Sequence, residues 1–528
     1  MNNVNISKVY LLDVPLENDY KNTLYFTNAS AQQSYFQSNT VFTFTDFSYQ
    51  RKDHFIRVPK QYDEVYKCNY VMYQNSAYSN KWFYAFITDI EYVDDGRTDI
   101  YIETDVIQTW LFDYTLKSSF VEREHVSDDT IGIHTVPEGL ETGEYIINSH
   151  GTDSSNGNLV MVVATTLSPG ELINIYGGIY TGIPSGITYF CFDDIDDVKD
   201  YLELLASRGK SEAVSGIFLA PQWVVTDTPH STYINPSTTP KTFGMGISKL
   251  TSLDTYVPHN NKLLTYPYVF INMSNGQGAS AIYHQELWEA NENTNMMTFN
   301  VYGCLTPGCS IRGIPYKYKG TDNPFDEGIN LGKFPQLNWT TDQYTNWLTQ
   351  NGVNIAVSLG SALLTAGTGA VMANAIGLGA KTSIAKEIAG INKTSSILGG
   401  VTDIANTLGQ IYQHSLVPPQ AEGNLNSGDV VTASGNNRFH YYKMSIKREY
   451  AQIIDKYFDM FGYKVNMVKV PNTAHRSRWW YTKTIDVNID GDIPNNDMQK
   501  IKNCYNNGIT FWRNASEIQD YSLSNGIV

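Results

Sequence analysis

Apolar positions change their spacing several times along this chain, and each change marks a new kind of element. Over the first 120 residues they form aromatic and β-branched runs, the pattern of strands. "NKWFYAFITDIEYV" (80–93) and "TDIYIETDVIQTWLFD" (98–113) predict strands on either side of "DDGR". Asp95-Gly96 suits a hairpin turn there, because both residues tolerate positive φ. Residues 126–260 mix periods. "NLVMVVATT" (158–166) is a continuous apolar run of buried-strand length, and "VSGIFLAPQWVV" (214–225) is another strand. Between them "DDVKDYLELLASRG" (196–209) has helical spacing at Val198, Leu202 and Leu205 and closes on Gly209, giving a β-β-α-β-like small domain. Strand-and-turn sequence resumes over 261–340, most clearly in "YVFINMS" and "AIYHQELWEA". Near the end, Ile446, Tyr450, Ile453, Ile454, Tyr457 and Phe461 predict a helix stopped by Gly462. "YKVNMVKVP" and "WWYTKTIDVNI" predict strands, and a short helix is expected from residue 495 to Gly508.

One stretch breaks this pattern. "VSLGSALLTAGTGAVMANAIGLGA" (357–380) lies in a region without Asp, Glu, Lys, Arg or His between Asp342 and Lys381. After it, "TSIAKEIAGINKTSSILGGVTDIANTLGQIYQ" (382–413) places Ile384, Ile388, Ile391, Leu398, Val401, Ala405, Leu408 and Tyr412 at intervals close to a helical period. The two predict a helical hairpin bending near Gly377 to Lys386, stopped by Pro418-Pro419 and followed by a polar linker. As a helix the first stretch would span about 36 Å, enough for a hydrocarbon core of roughly 30 Å. Its strongly apolar residues are Val357, Leu359, Leu363, Leu364, Val371, Met372, Ile376 and Leu378. At roughly -0.5 kcal/mol each on an insertion scale they supply about -4 kcal/mol, which its Ser, Thr, Asn and Gly residues oppose. Ala362, Ala366 and Ala370 repeat every fourth position, as do Gly369, Ala373 and Gly377. Such small-residue stripes let helices approach closely inside a bilayer. Composition alone leaves a buried core hairpin, a membrane-active segment and a flexible linker open.

Length and charge narrow the class. The 528 residues suit three or four domains, and 37 Tyr, 22 Phe and 9 Trp suit half-buried strand faces. A formal net charge of -16 leaves no surface-wide basic patch for nucleic acid, so DNA meeting this protein is repelled rather than bound. The N-terminal "MNNVNISKVYLLDVPLEND" reads as no secretory signal. Cys68, Cys191, Cys304, Cys309 and Cys504 are scattered, with one close pair in "CLTPGC" and no second pair to complete a zinc site. They read as reduced structural thiols, and neither a metal nor a cofactor is expected.

Catalytic chemistry finds no support. No HExxH, Cys/His cluster or GxSxG elbow is present. "AIGLGAKT" (375–382) lacks both glycines of a phosphate loop, and "DDIDD" (193–197) lacks the Gly and distal Glu of a calcium loop. Glu122 and Glu124 would serve a glycosidase only at the right separation in space. "RSRWWYTKT" (476–484) reads as an aromatic strand with paired cations rather than a base-stacking platform.

The block "REYAQIIDKYFDMFGYKVNMVKVPN…RSRWWYTKTIDVNIDGDIPNNDMQKIKNCYNNGITFW" (448–512) resembles the closing region of tail knob, or distal tail tube, proteins of small short-tailed podoviruses of the Picovirinae type. "VYLLDVPLENDY", "CNYVMYQNSAYSNKWFYAFI", "TDVIQTWLFD" and "SFVEREHV" are similar to their opening, and "IFLAPQWV" to their middle in outline. The resemblance implies an α+β, mostly β, multidomain chain. Its parts would be an N-terminal β-rich tube domain (1–125), a mixed α/β knob domain (126–260) and a β-rich knob or tube segment (261–345). An inserted hydrophobic membrane-active helical hairpin or loop (346–420) and a C-terminal α+β segment returning to the tube (421–528) would follow.

It further implies a homo-oligomer, a hexameric ring at the virion tail tip, in contact with other tail and collar proteins. Genomic DNA would pass through the lumen without specific binding. The hydrophobic loops would plug that lumen and then enter the host cytoplasmic membrane during ejection. Only the segment is carried over, not single residue roles. Two rivals remain: a soluble pore-forming toxin, and a receptor-binding or wall-degrading tail component with aromatic clusters and carboxylates in a groove.

Overall fold

The computed structural model describes residues 7–47, 54–75, 79–154, 159–166, 180–181, 188–192, 336–339, 421–423 and 438–528, with most of 201–221 and of 241–333. Among these residues strand far outweighs helix, in several separate sheets. The chain divides into two units. One comprises 1–143, 255–265 and 447–528, and the other 144–254 and 266–446.

The first unit holds an antiparallel six-stranded sheet in the spatial order Thr40–Phe47, Ser7–Leu12, Tyr70–Asn75, Trp82–Asp94, Arg97–Thr104, Phe55–Val58. The expected hairpin is there. Asp94 stands opposite Arg97 around Asp95-Gly96, and the Gly96 amide donates to Asp94 Oδ1 at 2.9 Å. The run 98–113, expected as strand throughout, is strand only to Thr104. Asp105 then caps a short helix, Val106–Trp110, by accepting from the Gln108 amide at 3.0 Å. The reason is polar and buried. Tyr70 donates to Asp105 Oδ2 at 2.8 Å, and the Gln108 amide group donates to Thr23 Oγ1 and the Leu24 carbonyl at 2.9 and 2.7 Å. A continued strand would leave those groups unsatisfied away from water.

A five-stranded sheet closes the same unit, in the order Asn22–Leu24, Ile509–Trp512, Trp479–Ile485, Ser119–Glu124, Tyr463–Lys469. Its first pair is parallel and joins the opening of the chain to its last strand. The expected helices are present as Arg448–Phe461, ending on Gly462, and Asn495–Asn507, ending on Gly508. Gly462 has φ +63, and a Cβ there would overlap the backbone of Glu124; Gly508, at φ +93, lies under the Tyr481 ring. Both stops are sites where only Gly fits. Two buried cores draw on both ends of the chain: Val9, Val71, Ile100 and Ile107 pack with Trp480, Ile501 and Phe511, and Leu24, Phe36 and Tyr70 with Trp479 and Trp512.

The second unit contains three sheets among the described residues. One runs Tyr145–Ser154, Arg438–Ile446, Val269–Ser274, Ser280–Tyr283, and another Lys241–Ser248, Met296–Cys304, Ser310–Tyr316, Ile329–Lys333. The third runs Tyr180–Thr181, Thr188–Phe192, Leu159–Thr165, Val214–Pro221, Gln336–Trp339, Ala421–Gly423. The strand expected over "AIYHQELWEA" ends at Tyr283, and a single 3₁₀ turn, Gln285–Leu287, follows. Gln285 explains the break. Its side chain accepts from the Leu250 amide and donates to the Leu250 carbonyl, at 2.8 and 3.1 Å, replacing a strand neighbour. The helix expected over 196–209 lies largely outside the described residues.

Candidate functional site

The apolar residues proposed to enter a membrane, from Val357 to Leu408, and the small-residue stripes Ala362, Ala366, Ala370 and Gly369, Ala373, Gly377 all lie outside the described residues. What is described is their attachment. Gln336–Trp339 pairs antiparallel with Ala421–Gly423, with Leu337 opposite Gly423 and Trp339 opposite Ala421. Gln336–Trp339 pairs in turn with Val214–Pro221, Ile217 standing opposite Leu337. Opposed residues of an antiparallel pair stand about 5 Å apart. Trp339 and Ala421, the two residues that bound 340–420, therefore form a neck at one edge of this sheet. Among the described residues no helix is long and apolar enough to cross a membrane.

In the first unit, carboxylates tie the three chain segments together. Glu138 forms ion pairs with Arg123 and Lys262 and accepts from the Lys464 amide at 2.9 Å. Burial lowers the Lys262 pKa, and Glu138 opposes that shift. Asp129 accepts from the Tyr463 hydroxyl at 2.6 Å and the Asn261 amide at 3.0 Å. Asp455 accepts from Tyr256 Oη and the His259 amide, both at 2.7 Å, and from Asn260 Nδ2 at 2.8 Å. His125 is buried in the same unit. The Tyr481 amide donates to its Nδ1 at 2.8 Å, so its Nε2 carries the proton and donates to the Asp459 carbonyl at 3.1 Å. Burial, helped by Arg476 and Arg123, brings this imidazole down to about 3.

The residues weighed for chemistry are structural here. Glu124 is buried and accepts from Lys469 at 2.5 Å and from the amide and side chain of Asn472 at 2.8 and 3.0 Å. Glu122 pairs with Lys483 at 2.9 Å. In the basic–aromatic run, Trp479 and Trp480 are buried, Arg478 pairs with Glu517, and Arg476 donates to the Val126 carbonyl at 3.0 Å. Cys68 and Cys504 are buried free thiols, pushed up to about 11 and about 12 by desolvation. Among the described residues no cluster of His, Cys, Asp or Glu is arranged to hold a metal. Sequence reasoning missed Asp129, Glu138, His125 and Asp455. Apart from Arg123, which pairs with Glu138 across 15 positions, their named partners lie more than a hundred positions away, and no local pattern marks them.

A groove of about 1040 Å³ opens beside the Arg448–Phe461 helix, lined by Tyr256, Phe461, Tyr521, Asp459 and Asp520 among others. Asp459 is partly committed there, accepting from Asn260 Nδ2 at 2.7 Å and lying 3.3 Å from His259 Nδ1.

Fold comparison defines the class. The chain superposes on the bacteriophage C1 tail knob protein gp12 with a TM-score of 0.57, at 14% identity, over 99% of this chain and 100% of that one. It has a tail knob fold. Residues 232–526 match the family described as Bacillus phage phi29, Tail knob protein gp9, C-terminal domain, and residues 5–115 match the Caudoviral major tail protein N-terminus. The first match spans more than half of the chain, and the chain belongs to that family. It is 26% identical to the tail knob proteins gp9 of Bacillus phages PZA and phi29 and 27% identical to that of B103. Each alignment covers 98% of this chain and 97% of the relative. The protein is thus a structural tail knob protein of a phage virion, the family expected from the two ends of its sequence.

Proposed function

We propose that copies of this chain, six by the family resemblance, form a ring-shaped tube for DNA passage, with residues 346–420 of each copy plugging the lumen. At the host cell these segments leave the tube and enter the cytoplasmic membrane as the genome is ejected. In this reading 1–125 and 421–528 contribute to the tube, 126–260 to the knob and 261–345 to the knob or the tube, and no part of the chain is an enzyme. The single observation that carries the proposal is the strand pairing that brings Trp339 opposite Ala421, the residues bounding a segment whose 343–380 stretch is charge-free and weakly apolar. A segment tethered at one point can move as a whole without unravelling the sheets beside it. Its apolar content is marginal for permanent anchoring, as a part that serves both in water and in lipid requires. Small-residue stripes from neighbouring copies would then pack closely in the bilayer and turn Ser and Thr faces to a water-filled pore. The excess of carboxylates keeps DNA from adhering to the lumen.

The test is dye release from liposomes at several pH values, comparing the full chain with one in which 340–420 is replaced by a short Gly/Ser linker. Release by the full chain alone is expected. A folded full chain that releases nothing at any pH would overturn membrane entry. A second reading, receptor binding, is favoured by the aromatic and carboxylate-lined groove. Binding of a wall saccharide that is lost on Gln452→Ala and Gln519→Ala would promote it.

A further inference from the structure

Three exposed apolar side chains line up across one face of the five-stranded sheet. Val468, Phe120 and Ile485 stand directly opposite one another on three neighbouring strands and are 70%, 36% and 55% exposed. Met467, opposite buried Val121, belongs to the other face, and Val470, 54% exposed, follows the end of the strand. Scattered surface hydrophobics are ordinary, but cross-strand neighbours make a contiguous patch, which marks a contact surface. Tyr463–Lys469 is also the edge strand of its sheet. The Lys464 amide is taken by Glu138, whereas Asn466, Met467 and Val468 lie exposed. Lys469 and Lys483, on the strands of the row, are tied to Glu124 and Glu122, and Lys464 is the other lysine of the edge strand.

We propose that this row is the seam against a second copy of the chain, joined head to tail, and that the neighbour presents the outer side of its Thr40–Phe47 strand. The inference rests on the ring reading above and names its contact surface. Thr40–Phe47 is the edge strand of the six-stranded sheet and carries no charge from Thr40 to Thr45. It turns Val41, Thr43 and Thr45 outward, Val41 being 46% exposed, while Phe42 and Phe44 pack on the core. Two unlike bare patches on one unit are what a head-to-tail contact joins, and repetition of that contact closes a ring. Charge points the same way. Chains of net charge -16 repel one another, and an uncharged edge meeting an uncharged row is where approach is least opposed.

Native mass spectrometry and light scattering of the full chain test this with Val468→Glu and Ile485→Glu, both at exposed positions. The wild type is expected as a ring. Each variant should dissociate at roughly tenfold higher concentration or more, into monomers with unchanged circular dichroism. Oxidation of a chain carrying both Val41→Cys and Val468→Cys should link subunits up to the ring number, and neither single variant should do so. A ring unaffected by both glutamates overturns the seam and leaves the ring reading standing. Rings that dissociate as expected but give no cross-link overturn the Thr40–Phe47 assignment. A wild type that is monomeric at every concentration overturns the ring reading and the seam with it.

Discussion

The two ends of the chain and the two ends of segment 340–420 are both joined by strand pairing, the first within a described core and the second at the edge of a sheet. At the chain ends, Asn22–Leu24 and Ile509–Trp512 pair inside a five-stranded sheet, over two aromatic cores and beside buried ion pairs at Glu138 and Glu124. At the segment, three residues of Ala421–Gly423 hold the returning chain to the outer side of Gln336–Trp339. Disturbing any one member of the first junction leaves a buried charge or a cavity. At the second, what the described residues supply is strand pairing. The difference separates a frame that must keep its shape from a part that the proposed function requires to move.

Breaking the frame should therefore be easy to detect in stability. The largest effect is expected from Gly462→Ala, where positive φ and overlap with the Glu124 backbone act together. A loss of roughly 4 kcal/mol or more is expected, read as a collapse of soluble yield or of the urea midpoint. Next comes Glu138→Ala, which leaves Arg123 and Lys262 buried without their partner. A loss of about 3–5 kcal/mol in urea unfolding is expected, and Glu138→Gln should recover part of it.

Acid sharpens the comparison further, because two groups of the frame oppose each other. His125 titrates near 6.5 when unfolded and about 3 when folded, so the stability it confers is present above pH 6.5 and drains away as pH falls. Asp105 is held up at about 6, mainly by burial, so its contribution is complete below pH 3.8 and is lost as pH rises through 6. Between pH 4 and 6 the two offset each other. Asp105→Asn keeps the helix cap and removes one side. Its stability should fall on acidification faster than that of the wild type, by up to about 1.4 kcal/mol per pH unit. Parallel slopes for the two proteins would refute the offset. The smallest effect on stability, essentially none, is expected from Gly369→Leu combined with Ala373→Leu. That pair should leave the urea midpoint unchanged and lower dye release, because it fills the groove along which helices would approach.

Legibility followed locality. The hairpin at Asp95-Gly96, the helix ending at Gly462 and the strand within 158–166 were readable, since each is fixed by neighbours in sequence. The short helix at Val106–Trp110 was not, because Asp105 and Gln108 answer to Tyr70, Thr23 and Leu24 rather than to the apolar run around them. The 3₁₀ turn at Gln285 escaped for the same reason. Charge depletion made the segment at 357–380 stand out, whereas its neck at Trp339 and Ala421 could not be seen. Pairing across eighty positions leaves no periodic trace. The clasp residues Asp129, Glu138 and His125 were silent too, being ordinary polar residues until distant partners surround them.

The parallel pair that unites Leu24 with Trp512 has a consequence for synthesis. The Trp512 indole donates to Asn22 across 490 positions, so a ribosome delivering roughly 5–20 residues per second makes the first strand wait roughly 25–100 s for its mate. Throughout that interval the nascent Leu24, Phe36 and Tyr70 have no Trp479 or Trp512 to cover them. A chain released early cannot complete this sheet, and such products are exposed to proteases and chaperones before they meet a growing virion. Closure at the last strand makes completion of the first unit conditional on translation through to Trp512.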